Sequence, residues 1–156
     1  MTDKKIFENY AESPFYQISS TAKYIKKMIM NYFDQIGIDV TSEEFLALNI
    51  IYFNPGICQR DLAKELLRDR AGTGRVVSSL ESKGLVERSI NTKGNHLVRN
   101  MKLTPFGEEV LNQAQNKLSS TAEKMIKLFP EEETAELKKL LDKLKKVIAE
   151  QVKTNI

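Results

Sequence analysis

The chain has few of the residues that build disulfides, metal centres and nucleophilic catalytic sites. Its 156 residues include one cysteine, Cys58, one histidine, His96, and no tryptophan. A single cysteine excludes an intrachain disulfide, and one histidine beside one cysteine excludes the usual zinc clusters and nucleophile–base pairs. The sequence therefore predicts a protein that is not an enzyme and holds no metal or other cofactor.

Long apolar runs and flexible segments are also scarce. No apolar run approaches the ~20 residues that span a bilayer. The N-terminal sequence MTDKKIFENYAESPF lacks the apolar core of a signal peptide. Only four prolines and seven glycines occur, and there is no low-complexity tract. These absences predict a single domain over residues 1–156, cytoplasmic and without a membrane partner.

The net charge of +3 is small, but it is unevenly distributed along the chain. Between Pro55 and Thr104, ten lysines and arginines outnumber five acids, so the middle third is basic and the remainder is slightly acidic. A basic centre between acidic ends fits a phosphate-binding module. A solvated charged surface explains the same counts, so charge alone leaves both interpretations open.

Apolar residues at helical spacing predict long helices at both ends of the chain. One helix is predicted over 13–36 and two more over 105–152, with a break at Phe129-Pro130. The apolar stripes of these helices exceed what one small domain can bury. We therefore expect a homodimer with its interface on 13–36 and 105–152, the alternative being one elongated monomeric bundle.

The central segment, 41–104, contains the pattern of a compact helix-turn-helix followed by a hairpin. Its predicted elements are a helix opening at Thr41, helices at 59–67 and 70–83, and strands at 85–90 and 96–103 around a five-residue turn. Two short helices and a two-stranded hairpin are the parts of a winged helix-turn-helix, whose second helix enters the major groove of DNA. The predicted fold class is mainly α with a small β-hairpin wing, flanked by long dimerisation helices.

Positions within this segment assign contacts with double-stranded DNA. The predicted DNA-binding residues are Gln59, Arg60, Arg70, Ala71, Gly72, Thr73, Arg75, Ser79, Arg88, Lys93, Asn95, His96 and Arg99. Those expected to face base edges are Ala71, Thr73, Arg75 and Ser79. Those expected to position the helix on phosphates are Gln59, Arg60 and Arg70. The remaining cations, Arg88, Lys93 and Arg99, lie in or beside the wing.

The sequence also resembles the multiple antibiotic resistance regulator (MarR) family over nearly its whole length. The resemblance rests on the order and spacing of QRDLA from Gln59, DRAGTGR from Asp69, LESKGLVER from Leu80 and LTPFG from Leu103. Family members are triangular homodimers, joined through their first, fifth and sixth helices, that usually repress transcription from pseudopalindromic operators. The resemblance implies a sequence-specific, duplex-DNA-binding transcriptional regulator, and more narrowly a repressor.

Relief by a small molecule is a further implication of the resemblance. Many members release DNA when a phenolic or other small ligand, or an oxidant, acts on the dimer. Here this implies a small phenolic or apolar acid bound near Tyr24, Met28 and Phe45. Redox-sensing members carry a cysteine near the start of the first helix, where this chain has none. Cys58, at the N-cap of the helix at 59–67, is interpreted as structural, the alternative being a thiol sensor.

Two regions depart from the family pattern. At the wing tip, Asn95-His96-Leu97 replaces the usual Asp-Arg-Arg type sequence, which leaves the charge of the wing to Lys93 and Arg99. His96 is interpreted as a modest DNA contact, with pH sensing and an ordinary exposed residue as alternatives.

In the second helix of the pair, Gly72 and Gly74 stand where polar or β-branched residues are common. They either allow a close approach to DNA or simply lower helix propensity. These departures support an alternative function, a winged-helix protein–protein interaction module without DNA binding. The basic charge of the segment argues against it.

Overall fold

The computed structural model describes residues 8–94 and 96–152, which divide into two units between Ser42 and Glu43. The first unit holds a 3-10 turn, Tyr10–Glu12, and helix α1, Pro14–Gln35. Ser13 caps α1, because its Oγ accepts a hydrogen bond from the Tyr16 N–H at 3.2 Å. Proline at the next position loses no helical hydrogen bond.

A glycine follows the end of α1 and allows the chain to leave the helix. Gly37 adopts φ 72°, in the left-handed region that favours glycine. Its N–H donates to the Asp34 carbonyl at 3.2 Å, and the Ile38 N–H donates to the Phe33 carbonyl at 2.9 Å. This pair of bonds is a Schellman motif, which satisfies carbonyls left without helical partners.

The second unit contains the remaining helices and a small sheet. Its elements are α2 (Ser42–Phe53), β1 (Ile57–Cys58), α3 (Gln59–Glu65), α4 (Arg70–Ser82), β2 (Val86–Lys93), β3 (His96–Leu103), α5 (Pro105–Ile126) and α6 (Glu131–Gln151). The sheet is antiparallel, in the order β1-β3-β2. The largest buried apolar side chains of the second unit are Leu48, Ile51, Leu62, Val77, Leu80, Met101 and Leu111. The predicted fold class, mainly α with a small β wing, is confirmed.

The first strand, β1, was not predicted from the sequence. Its two residues, Ile57 and Cys58, pair with Met101 and Asn100 of β3. The Gly56 N–H adds a hydrogen bond to the Met101 carbonyl at 2.9 Å. Two residues are too few to show the alternation by which a strand is recognised. The pairing attaches the start of α3 directly to the sheet.

The hairpin is longer than predicted, and its turn is shorter. Pairing continues through Asn91–Val98 and Thr92–Leu97, so β2 includes residues that the sequence assigned to the turn. Gly94, with φ 63°, lies in the turn. The prediction of a five-residue turn was wrong, because a run of polar residues occurs both in loops and in solvent-exposed strand pairs.

Two of the sequence motifs meet where the wing joins α5. Thr104 caps α5, accepting a hydrogen bond from the Gly107 N–H at 3.0 Å, and its hydroxyl donates to the Gly84 carbonyl at 2.6 Å. The Thr104 N–H donates to the Leu85 carbonyl at 3.1 Å. The end of α4 and the start of α5 are therefore bonded to each other, which explains physically why KGL and LTPFG occur together.

Of the helices in the described part of the chain, none has both the length and the apolar character needed to cross a bilayer.

We predict that Gly107→Ala strongly destabilises the protein. A Cβ at this position would lie 2.0 Å from the Leu85 carbonyl oxygen, so backbone must move. We expect a loss of about 3 kcal/mol or more in the free energy of unfolding, measured by urea denaturation. Gly74→Ala is the control, since its Cβ would meet only the flexible Gln59 side chain at 3.1 Å. Equal stability of the two variants would contradict the prediction.

Candidate nucleic-acid interface

The turn between α3 and α4 contains a non-glycine residue in the left-handed region. Leu67 has φ 51° and follows α3 at the position where glycine is favoured. Its N–H donates to the Lys64 carbonyl at 3.1 Å, and the Arg68 N–H donates to the Ala63 carbonyl at 2.9 Å. A leucine in this conformation costs roughly 1–2 kcal/mol. The helix-ending hydrogen bonds maintain the turn despite this strain.

The start of α4 is fixed by Asp69 and Thr73. The Asp69 carboxylate accepts a hydrogen bond from the Gly72 N–H, and the Thr73 hydroxyl donates to the Asp69 carbonyl at 2.9 Å. Thr73 is completely buried. It therefore stabilises the helix start and presents no group on the outer surface, which corrects its assignment to base edges.

The residues exposed on the outward face of α4 differ slightly from those predicted to face base edges. Ala71, Arg75 and Ser78 are exposed at successive helical turns. Ser79, predicted to face bases, instead points to α2 and donates from Oγ to Glu44 Oε1 at 2.6 Å. Steps of four and then three residues from Ala71 lead to Ser78, so helical periodicity alone would have found the serine that the structure exposes.

A buried carboxylate holds the inner side of α4. Glu44, on α2, is only 4% exposed. Its Oε1 accepts the hydrogen bond from Ser79, and its Oε2 lies 2.9 Å from Lys83 Nζ. A carboxylate is costly to bury unless it is paired and hydrogen-bonded. These contacts therefore favour one rotation of α4 about its axis.

The two glycines of α4 make room for side chains of the protein itself. At Gly74 a Cβ would lie 3.1 Å from Gln59 Nε2, and at Gly72 it would lie 3.0 Å from Asp69 Oδ1. Gln59 Nε2 also donates to the Arg70 carbonyl at 3.3 Å. The contacts of α3 and of the Asp69 cap thus account for both glycines without a close approach of DNA.

Arg88 joins the wing to α4. Its Nε lies 3.2 Å from Glu81 Oε2, and Nη2 donates to Ser78 Oγ at 2.9 Å. The side chain is only 19% exposed. Its charge is neutralised within the protein, which argues against the predicted direct DNA contact. Arg88 instead holds the base of the wing against α4.

Farther along the wing, the predicted DNA-binding residues are only partly described. Arg99 lies on β3 and is exposed, opposite Ile90 of β2. Asn95 and the side chains of Lys93 and His96 lie outside the described residues. Their DNA contacts remain predictions.

Most cations of the central segment have acidic partners. The ion pairs are Arg60–Asp61, Lys64–Asp61, Arg68–Glu43, Lys83–Glu44, Arg88–Glu81 and Lys102–Glu87. Among the cationic side chains described in this segment, Arg70, Arg75 and Arg99 have no carboxylate partner. Two of these arginines lie on α4 and one lies on the wing, so the unneutralised charge is concentrated on the predicted DNA-binding elements.

Cys58 occupies the predicted N-cap position of α3, but its thiol makes no capping bond to the backbone. Cys58 Sγ instead donates to Asp61 Oδ2 at 3.1 Å, and Lys64 Nζ lies 3.3 Å from Asp61 Oδ1. The hydrogen bond from Cys58 is the largest of the effects that lower the pKa of the Asp61 carboxyl, followed by the one from Lys64. Within 8–94 and 96–152, no three His, Cys, Asp or Glu residues are grouped to hold a metal ion.

The ligand-binding residues inferred from the family resemblance lie on two helices. Tyr24 and Met28 are one turn apart on α1, with Tyr24 largely exposed, and Phe45 is half-buried on α2. A ligand site lined by these residues remains a prediction.

Comparisons with known proteins agree with this architecture. A family model described as "MarR family" matches residues 38–93. The HTH-type transcriptional regulator BilQ of Clostridium symbiosum (strain WAL-14163) is 30% identical over 110 residues, which cover 67% of this chain and 76% of BilQ. The uncharacterized HTH-type transcriptional regulator YybA of Bacillus subtilis (strain 168) is 28% identical over 111 residues, 71% of this chain and 73% of YybA.

A solved structure shows the same fold over nearly the whole chain. The S. aureus MepR–DNA complex superposes with a TM-score of 0.75 at 22% identity, covering 90% of this chain and 98% of MepR. The fold and the sequence relatives define a winged helix-turn-helix transcriptional regulator and not an enzyme. The chain belongs to the MarR family.

We predict that Cys58→Ala raises the pKa of the Asp61 carboxyl towards its ordinary value of 3.8, because the largest stabilising contact of the carboxylate is lost. Cys58→Ser keeps a donor at this position and should leave the pKa lowered. Carboxyl-detected NMR titration of the parent and both variants measures the difference. An unchanged pKa in Cys58→Ala would show that the thiol does not act on Asp61.

Proposed function

We propose that the chain is a transcriptional repressor that binds duplex DNA as a homodimer and prefers particular sequences. The observation that carries the proposal is the position of three arginines that have no carboxylate partner among the described residues, Arg70 and Arg75 on α4 and Arg99 on the wing. Free cations on these elements are available to DNA, whereas the neighbouring paired cations are already neutralised. A protein-binding module would not require this distribution.

The neighbours of Arg75 suit a helix that lies in the major groove. Ala71 and Ser78, on either side of it along the exposed face, are small, so the backbone of α4 can approach base edges. Arg75 would then donate two hydrogen bonds to guanine O6 and N7, worth about 1–3 kcal/mol of discrimination. Arg70, at the start of the helix, is placed to contact a phosphate.

Dimerisation is supported by apolar side chains that one chain leaves uncovered. Phe15 and Ile25 on α1 are exposed, as are Leu137, Leu140 and Val147 on α6. Their recurrence at helical spacing forms stripes, which mark interfaces when they are exposed. A two-fold symmetric dimer would present two copies of α4 to a pseudopalindromic operator.

We predict different effects for the two kinds of arginine. Arg75→Ala should reduce the preference for duplexes that the parent selects from a random library over scrambled duplexes, because base contacts are lost. Arg99→Ala should weaken both about equally and lower the slope of log K against log salt by roughly one unit per phosphate contact, so about two in a dimer. Affinities measured at several salt concentrations, with Lys139→Ala as a control outside the interface, test this.

If Arg75→Ala keeps the preference while Arg99→Ala abolishes it, the wing reads the sequence and these assignments are reversed. If the parent binds no duplex at any salt concentration, the protein-interaction alternative is favoured.

We predict that Leu140→Asp dissociates the dimer. The substitution places a charge on the apolar stripe of α6, where burial against a second chain would leave it unpaired. Lys143→Asp introduces the same acid at an exposed lysine of the same helix and should leave the dimer intact. Sedimentation equilibrium of both variants measures the association. A Leu140→Asp protein that remains as dimeric as the parent would contradict an interface on this stripe.

A further inference from the structure

The wing has one face on which apolar character continues beyond the body of the protein. Because side chains alternate along a strand, Ile90 and the opposed Arg99 share a face with the next pair, Thr92 and Leu97. Nearer the body this face supplies buried residues, including Met101. Farther out, Ile90 is 64% exposed and Leu97 is 74% exposed. Two large apolar side chains therefore lie uncovered on one side of a narrow hairpin.

The charge of this segment indicates what kind of partner covers the face. No acidic residue occurs from Arg88 to Asn100, whereas basic residues occur on both strands. Arg99 is exposed on the same face as Ile90 and Leu97. A surface that combines apolar and cationic side chains is complementary to a polyanion that also presents apolar surface. Repulsion between like charges opposes pairing with a second copy of the same hairpin.

The same face is continuous with the outer surface of α4. Arg88 lies two residues before Ile90 on β2, so both side chains lie on the same side of the wing. Arg88 also donates a hydrogen bond to Ser78. Ser78 is exposed beside Arg75 on α4. A duplex held against α4 would therefore extend towards Ile90 and Leu97.

We infer that Leu97 and Ile90 contact the deoxyribose walls of the DNA minor groove beside the α4 site, with Arg99 on the adjoining phosphates. The inference rests on the proposed function and adds to it a determinant of sequence preference. Leucine and isoleucine are among the apolar side chains that enter minor grooves. The guanine N2 amino group projects into that groove and opposes apolar contact, so the wing should select A·T pairs on the flanks of the site.

The test compares the parent with Leu97→Ala, Ile90→Ala and Leu97→Arg, and with Ser89→Ala as a matched control on the opposite, exposed face. The probes are duplexes selected by the parent from a random library, with flanking pairs changed to G·C or to I·C. Inosine removes only the minor-groove amino group from guanine. Affinities are measured at several salt concentrations, and the association state of each variant by sedimentation.

We expect the parent to bind the I·C-flanked duplex more tightly than the G·C-flanked one. Leu97→Ala should bind the I·C-flanked duplex about tenfold more weakly, a loss of about 1.4 kcal/mol, and should no longer distinguish the flanks. Its salt slope should stay that of the parent, because no charge is removed, whereas Leu97→Arg should bind with a steeper slope. Ser89→Ala should match the parent.

Leu97→Ala that equals Ser89→Ala on every duplex would overturn this inference while leaving the proposed function intact. Leu97→Ala that loses self-association but keeps its DNA affinity would also overturn it, since a second copy would then cover the face. A parent that binds none of the duplexes would refute the proposed function, and with it this inference.

Discussion

The orientation of α4 depends on the buried carboxylate of Glu44. Once this group leaves water, its charge requires partners, and α4 supplies them through Ser79 and Lys83. Only one rotation of the helix brings both donors to the carboxylate. That rotation also buries Val77 and Leu80 and places Arg75 and Ser78 on the outside, so the exposed face of the helix follows from how its inner face packs and satisfies a buried charge.

The other polar contacts of α4 attach its neighbours to it. Gln59 reaches from α3 to the Arg70 carbonyl, and Arg88 reaches from the base of the wing to Ser78 and Glu81. These side chains look like DNA contacts in the sequence because they are polar or basic and lie in the right segment. Their bonds to α4 hold α3, α4 and the base of the wing together, which reduces the ordering needed on binding.

Local rules sufficed for the elements whose ends depend on neighbouring residues. Ser13 and Thr104 begin helices and Gly37 ends one, close to the predicted bounds, because caps and left-handed glycines act within a few residues. The contact of Ser79 with Glu44 was missed because the two residues lie far apart in sequence. Strand β1 was missed because its pairing with β3 spans more than forty residues. Such long-range contacts leave no periodic signal in the sequence.

Charge counts along the chain overestimate the cationic surface, because they do not show which cations are paired with acids. The basic excess between Pro55 and Thr104 suggests a broad cationic surface, yet most of its described cations are neutralised by nearby acids. Non-specific attraction to phosphates grows with the number of free cations, so a surface with few of them binds random DNA weakly. In the proposed function, discrimination then depends more on groove contacts, from Arg75 on α4 and from the apolar face of the wing. We therefore expect DNA affinity to be concentrated in the contacts that distinguish one sequence from another.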